Sequence, residues 1–245
     1  MKKRALTANF DSELAAHDGR ILRRYLDFPK LVDLLRTSEL YLRRASLFDD
    51  ILEGTLPVQM RRGASDYIGD LTEFEKKNRD RTFLSCWSLG AKDNMALWKL
   101  YGITAESVAV TTTIRRLAKI APGWARHGNV DVRKVRYIDY AGRLPNGVYG
   151  VGEDLFSLKH IAYSFEKEVR VVLTGSTPKK EKKAIRVPVD LDLFLRSIVV
   201  GPEAEDWFFD LVVDVVRKFN VAAPVRKSEL AILRKQTKVS QKKDI

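Results

Sequence analysis

Lys159, Glu166, Glu168 and Arg170 lie close together in the sequence and are residue types that do chemistry in concert. They fall in the run FSLKHIAYSFEKEVRVVL, residues 156–173. The second half of this run has strand character, because Val169, Val171, Val172 and Leu173 are mostly β-branched and follow the aromatics Tyr163 and Phe165. Strand side chains alternate. A strand over 166–173 puts Glu166, Glu168, Arg170 and Val172 on one face and Phe165, Lys167, Val169 and Val171 on the other. Two carboxylates and a guanidinium then follow one another at a spacing of about 7 Å. Either this face is solvated and Arg170 neutralises its neighbours, or Glu166 and Glu168 are a catalytic pair on a rigid element.

Composition limits what can hold such a strand. The chain has 245 residues, 45% of them apolar, enough for a genuine core. Lys and Arg number 44 against 32 Asp and Glu, giving a formal charge of +12 and a pI near 9.7. That field favours polyanions: nucleic acid, an anionic surface or a phosphate-bearing cofactor. Cys86 is the one cysteine, so no intramolecular disulfide forms, and His17, His127 and His160 are too scattered for metal-ligand spacing. No metal is expected. No apolar run approaches the roughly 20 residues of a membrane helix, and no secretory h-region follows the basic start. These features predict a soluble, cytoplasmic protein without a membrane partner.

The elements that must position the cluster read as follows. Residues 1–19 are polar and predict a loosely held arm. Residues 20–26 alternate as a strand, Asp27 is a candidate N-cap for a helix over 28–36 with Pro29 in its first turn, and 39–43 is a short strand. A loop carrying Asp49, Asp50 and Glu53 follows, whose acids suit caps, a metal site or a binding rim, with caps the commonest use. Two short helices are expected over 56–79. Residues 82–88 read as a buried strand, 94–101 as a helix, 107–112 as a strand, and 130–140 as a half-exposed strand.

The segment 142–152 holds four glycines and Pro145 and predicts a mobile flap. Its glycines do not run from a strand into a phosphate-binding helix, which excludes the dinucleotide fingerprint. Residues 175–183 suggest a basic hairpin tip, solvated or touching a polyanion, with 184–189 as the returning strand. Strands at 197–200 and 221–225 flank the longest helix, 203–219. The Lys-rich segment 233–245 predicts a disordered tail. About eight short strands with irregularly inserted helices define an α+β class, one domain over 20–232.

Several segments together resemble a bacterial domain-of-unknown-function family met in phage-defence and toxin contexts. Its marks are a Phe-Asn-Asp-Pro-x-Glu loop, a Cys-x-Ser strand, a Met-x-Trp-x-x-Tyr helix and a Lys-x(6)-Glu-x-Glu-x-Arg strand. Here they stand as Phe48, Asp49, Asp50 and Glu53; Cys86 and Ser88; Met95, Trp98 and Tyr101 with one extra residue between Met and Trp; and Lys159, Glu166, Glu168 and Arg170. Asp49 replaces the Asn and Ile51 the Pro. The match runs from Arg23 to Leu230. That family is in turn similar to the ADP-ribosyltransferases, which implies short mixed and antiparallel strands in two small sheets with peripheral helices, and NAD bound in a cleft as co-substrate.

By this resemblance Arg23 or Arg24 holds the dinucleotide, Tyr41 or Ser46 supports the nicotinamide ribose, and Glu168 completes the trio. A carboxylate beside the 2-hydroxyl would stabilise the positive charge that develops as nicotinamide leaves. Glu166 would orient or deprotonate the acceptor. Lys159 and Arg170 would keep both carboxylates ionised and, with Ser88, belong to the residues expected at the cofactor, and Trp87, Trp98 or Tyr101 would stack a ring unless they are core. The resemblance implies transfer to a nucleic acid or protein. NAD hydrolysis and nucleic-acid binding without catalysis remain as alternatives, and an antitoxin or defence protein is a further expected partner.

Overall fold

The computed structural model describes residues 8–102, 105–142, 152–175 and 182–233. Most of the expected flap at 142–152 and of the basic hairpin tip at 175–183 lies outside the described residues, as does the tail from 234 on.

In chain order the elements are β1 (Ala8–Phe10), α1 (Ser12–Ala15), β2 (Ile21–Asp27), α2 (Phe28–Thr37), β3 (Glu39–Arg44), α3 (Val58–Ile68), α4 (Leu71–Arg81) and β4 (Phe83–Leu89). There follow α5 (Met95–Tyr101), β5 (Ser107–Thr113), α6 (Ile114–Ile120), β6 (Asn129–Lys134), β7 (Arg136–Ile138), β8 (Leu158–His160) and β9 (Glu168–Thr174). The chain goes on through β10 (Ala184–Pro188), α7 (Leu191–Phe194), β11 (Ser197–Val200), α8 (Asp206–Lys218) and β12 (Val225–Lys227). Local chemistry sets the helix starts. Asp27 accepts the Lys30 N–H at 2.9 Å to open α2, and Asn94 accepts the N–H groups of Ala96 and Leu97 to open α5. Helix α2 ends at Ser38 in the left-handed conformation, φ 51°.

The class is α+β, with mostly antiparallel strand pairs. Among the described residues β7 and β8 form a parallel pair of their own, so the sheet arrangement differs slightly from the expected two small sheets. Short strands extend a ladder as well as long ones when each finds a partner on both edges. The predicted arm is also corrected from residue 8 on. β1 pairs in parallel with β6, Asp11 donates its N–H to Val132 O at 3.0 Å, and Leu14 is buried. The single strand expected over 130–140 is two, β6 and β7, parted at Val135, whose N–H donates to Glu168 O at 2.9 Å.

By packing, the chain divides into two compact units. The first comprises Met1–Ala16, Tyr41–Trp87 and Ala121–Val187, with strand order β1-β6-β9-β4. Its β9 is buried along its whole length, so both faces of that strand meet protein. The second comprises His17–Leu40, Ser88–Ile120 and Pro188–Ile245, with order β2-β5-β11-β12. Helix α8 buries Phe208, Val212 and Val216, and Tyr25, Leu97, Trp98, Ala109 and Val199 form an apolar cluster.

In the second unit Arg23 and Asp93 form a buried ion pair, with side-chain exposures of 8% and 3%. Asp93 also accepts the Ser228 hydroxyl at 2.5 Å and the Glu229 N–H at 3.0 Å. Removing one member of such a pair leaves a charge stranded out of water. Arg23→Leu should destabilise the protein by about 3–5 kcal/mol and lower the thermal midpoint by roughly 6–20 °C. Differential scanning calorimetry of the variant checks this.

Candidate active site

Arg170 is the centre of the site in the first unit. It projects from β9 and has 0% exposure. A guanidinium carries five N–H donors, and here each is taken. Nε donates to Glu168 Oε2 at 3.1 Å, and Nη2 donates to the same oxygen and to Glu53 Oε2, both at 2.9 Å. Nη1 donates to Glu53 Oε1 at 2.7 Å and to the Phe156 carbonyl at 2.9 Å. The contact with Glu53 is therefore bidentate.

Glu53 reaches this position from a turn. Asp50 accepts the Leu52 N–H at 2.9 Å through its side chain and the Glu53 N–H at 3.1 Å through its carbonyl, and Thr55 Oγ donates to Leu52 O at 2.8 Å. Lys159 comes from β8, where Tyr137 of β7 stands opposite it in register. Its Nζ donates to Glu166 Oε2 at 2.5 Å and to Glu168 Oε2 at 3.4 Å, and lies 4.6 Å from the Tyr163 ring centroid. The backbone of Glu168 is pinned at both ends. Its N–H donates to Tyr137 Oη at 2.7 Å, and its carbonyl accepts the Val135 N–H. An apolar group of Ala45, Leu84, Phe156 and Val172, with Phe48 and Cys86 against it, adjoins the charges.

Burial opposes the charge on Glu168, yet Arg170 and then Lys159 outweigh it and hold the carboxyl below the ordinary glutamate value. For Glu53 burial prevails over Arg170 and pushes the carboxyl up. Burial, with the Glu168 charge beside it, pushes the Cys86 thiol well up, so Cys86 stays a neutral hydrogen-bond donor to Glu168. Burial also pushes the Tyr137 hydroxyl up to about 12. Counted by residue, three carboxylates (Glu53, Glu166, Glu168) meet two cations (Lys159, Arg170).

The four residues of the Lys-to-Arg motif are thus together, though not as a continuous strand. Glu166 ends a 3-10 segment, Ile161–Glu166, and Lys167 turns the chain in the left-handed region at φ 48°. The shared strand face predicted for Glu166 and Glu168 is corrected accordingly: Lys159, not alternation, joins them. Nor is the face solvated, since Lys159, Glu166, Glu168 and Arg170 are all buried. Arg170, expected to contact the cofactor, has spent its donors on protein groups.

Of the other expected residues in this unit, Ser46 is half-buried in a 3-10 turn, Ala45–Leu47, and Tyr41 is 37% exposed on β3 beneath the Arg186 guanidinium, 5.6 Å from its ring centroid. Trp87 is enclosed, its Nε1 donating to Ser85 Oγ at 3.1 Å, so its ring is core and offers no stacking face. The second unit holds Arg23, Arg24, Ser88, Trp98 and Tyr101. Arg23 is committed to Asp93 and to Ala91 O. Arg24 and Ser88 are half-buried, with Ser88 opposite Arg23 in the ladder. Trp98 is buried edge-on to Tyr25, ring centroids 4.8 Å apart, and is core as well. Tyr101 is exposed.

Sequence reasoning left Glu53 unassigned and gave no role to Tyr137. A signal for Glu53 existed: an arginine between valines on a strand buried on both faces requires more counter-charge than its own strand supplies. Among the described residues no group of three or more His, Cys, Asp or Glu is disposed to hold a metal, and no helix is long and apolar enough to cross a membrane.

No protein-family model and no curated protein matches the chain. Among solved structures, DarT of Thermus sp. 2.9 in complex with ADP-ribosylated ssDNA is similar at 13% identity and a TM-score of 0.41, over 92% of this chain and 98% of that one. The Thermus sp. 2.9 DarT complex with carba-NAD+ is similar at 12% identity and a TM-score of 0.41, over 87% and 97%.

Gly54 couples the turn to the site. It has φ +69°, and a Cβ there would stand 2.5 Å from Phe156 Cε1, the residue whose carbonyl holds Arg170. Gly54→Ala should therefore cost about 1–3 kcal/mol through backbone strain and overpacking together. Denaturant unfolding should show a lowered midpoint, whereas Gly63→Ala, where nothing lies within 4 Å, should leave it unchanged or raised.

Proposed function

We propose that the protein is an NAD-dependent ADP-ribosyltransferase acting on a macromolecule, an effector of the toxin or phage-defence kind that the motif resemblance implies. One observation carries the reading: Glu168 is buried, yet Arg170 and Lys159 beside it hold its carboxyl below the ordinary glutamate value. Breaking the bond from ribose to nicotinamide builds positive charge on the sugar, and a fixed anion in a water-poor site stabilises that charge as it appears. The three charged donors, Arg170 Nε, Arg170 Nη2 and Lys159 Nζ, converge on Oε2. Oε1, which none of these three charged donors meets, is assigned to the ribose 2-hydroxyl. Glu166, sharing Lys159, is assigned to the incoming acceptor, as the Glu-x-Glu resemblance implies.

Arg23 or Arg24 is the candidate for the pyrophosphate, as the resemblance implies. A polyanionic acceptor is supported by the outward side of β3 and β10. Tyr41 lies under Arg186 and Phe48 under Arg43, each at 5.6 Å, with Lys182 and Lys183 exposed beside them. Acceptor-free turnover would instead mark a glycohydrolase.

Nicotinamide release from NAD, with and without single-stranded DNA or RNA, tests the reading. Wild type should release nicotinamide, and Glu168→Gln should slow release by about 100–1,000-fold. No release by the wild type under any of these conditions, with salt-sensitive nucleic-acid binding intact in the variant, would contradict the reading and favour a binding protein.

The pH profile supplies a second check. Glu168 works as the anion, so activity is full above its depressed folded value and falls as pH drops through it. Lys159→Met removes one of the two cations that depress it, and the acid limb of kcat/KM should move to higher pH. An unmoved limb would mean that Glu168 is not the titrating group.

A further inference from the structure

We infer that Glu53 is a positioning residue for the reaction, acting on Glu168 solely through Arg170; the inference rests on the reading of Glu168 as the carboxylate at the ribose. Glu53 is 1% exposed, and both its oxygens accept from Arg170, at 2.7 and 2.9 Å. With the Phe156 carbonyl, it occupies three of the five guanidinium N–H groups. The other two, Nε–H and one Nη2–H, are left pointing at Oε2 of Glu168. A planar guanidinium gripped along one edge has little freedom to rotate about its own axis. The grip by Glu53 therefore fixes the direction from which Arg170 meets Glu168, and with it which carboxylate oxygen is bound to protein and which is turned to substrate.

The sequence bears on this arrangement. Glu53, in the loop with Phe48, Asp49 and Asp50, lies 117 residues from Arg170 in the chain, yet Asp50 folds the turn that delivers it. A loop of this kind positions the catalytic strand without touching substrate itself.

A double-mutant cycle on nicotinamide release tests it. Glu53→Gln keeps the side chain's shape but presents an amide NH₂ to a guanidinium, so the bidentate grip is lost. Its kcat should fall on the order of 100-fold, as for a catalytic group displaced by about 1 Å, with KM for NAD within about twofold of wild type. Arg170→Met should fall at least as far, and adding Glu53→Gln to Arg170→Met should cost nothing more. Thermal unfolding of the same four proteins reads the pair without reference to activity. Arg170→Met strands the Glu53 carboxylate and should melt lowest, and the double variant should recover part of that loss.

Should Arg170→Met not fold, Glu53→Asp keeps the charge but withdraws it by one methylene. Measured well below its own melting midpoint, it should show the same loss of kcat at unchanged KM. Wild-type kcat in Glu53→Gln or in Glu53→Asp, or losses that simply multiply in the double variant, would overturn the inference. If Glu168→Gln abolishes release while Glu53→Gln leaves it intact, this inference alone falls. If wild type releases no nicotinamide at all, the functional reading falls first and takes the inference with it.

Discussion

A guanidinium buried away from water must have every N–H satisfied within the protein, and Arg170 imposes that condition on everything around it. The desolvation of such a cation costs several kcal/mol and is offset only by well-aligned acceptors. Those acceptors come from the Asp50-capped turn through Glu53, from the 3-10 segment 152–157 through the Phe156 carbonyl, and from the first residue of β9 through Glu168. Three stretches, one of them 117 residues away in the chain, are thereby fixed relative to one side chain. Apolar contacts among Ala45, Leu84, Phe156 and Val172 supply the volume, while the charges supply the register.

The same constraint shapes the chemistry. A lone carboxylate in this setting would take up a proton, because burial favours its neutral form. Arg170 and Lys159 reverse that preference for Glu168 and leave it unreversed for Glu53. Cys86 contributes a neutral S–H to Glu168 rather than a thiolate, so this cysteine acts here as a hydrogen-bond donor. The charged donors of Arg170 and Lys159 meet on one oxygen of Glu168, Oε2.

Much of the fold was legible because local rules and tertiary packing agree in most of it. Asp27 with Pro29, Asn94, the β-branched run at 107–112 and the apolar stripe of α8 each lie in the element their types predict. Legibility failed where a long-range partner overrides local pattern. Lys167 adopts a left-handed turn that no periodicity announces, so Glu166 was assigned to a strand it precedes. Residues 8–15 look polar and loose until β6 offers a pairing edge. Glu53 could not be matched to Arg170 from spacing, since only the folded chain brings residues 117 apart into contact. Arg23, offered by the resemblance beside Arg24, pairs with Asp93, a partner 70 residues on that no spacing announces.

The claim on which the account turns is that Glu168 is buried and ionised at once. Carbon-13 NMR titration of the glutamate side-chain carboxyls, with the Glu168 signal assigned by its loss in Glu168→Gln, measures this without recourse to activity. The account predicts a Glu168 midpoint below the ordinary 4.5, moving upward when Lys159 is replaced by Met. A midpoint at or above 4.5 in the folded wild type would contradict it, because Arg170 and Lys159 would then be holding a neutral acid and the site would lack the anion that the chemistry requires.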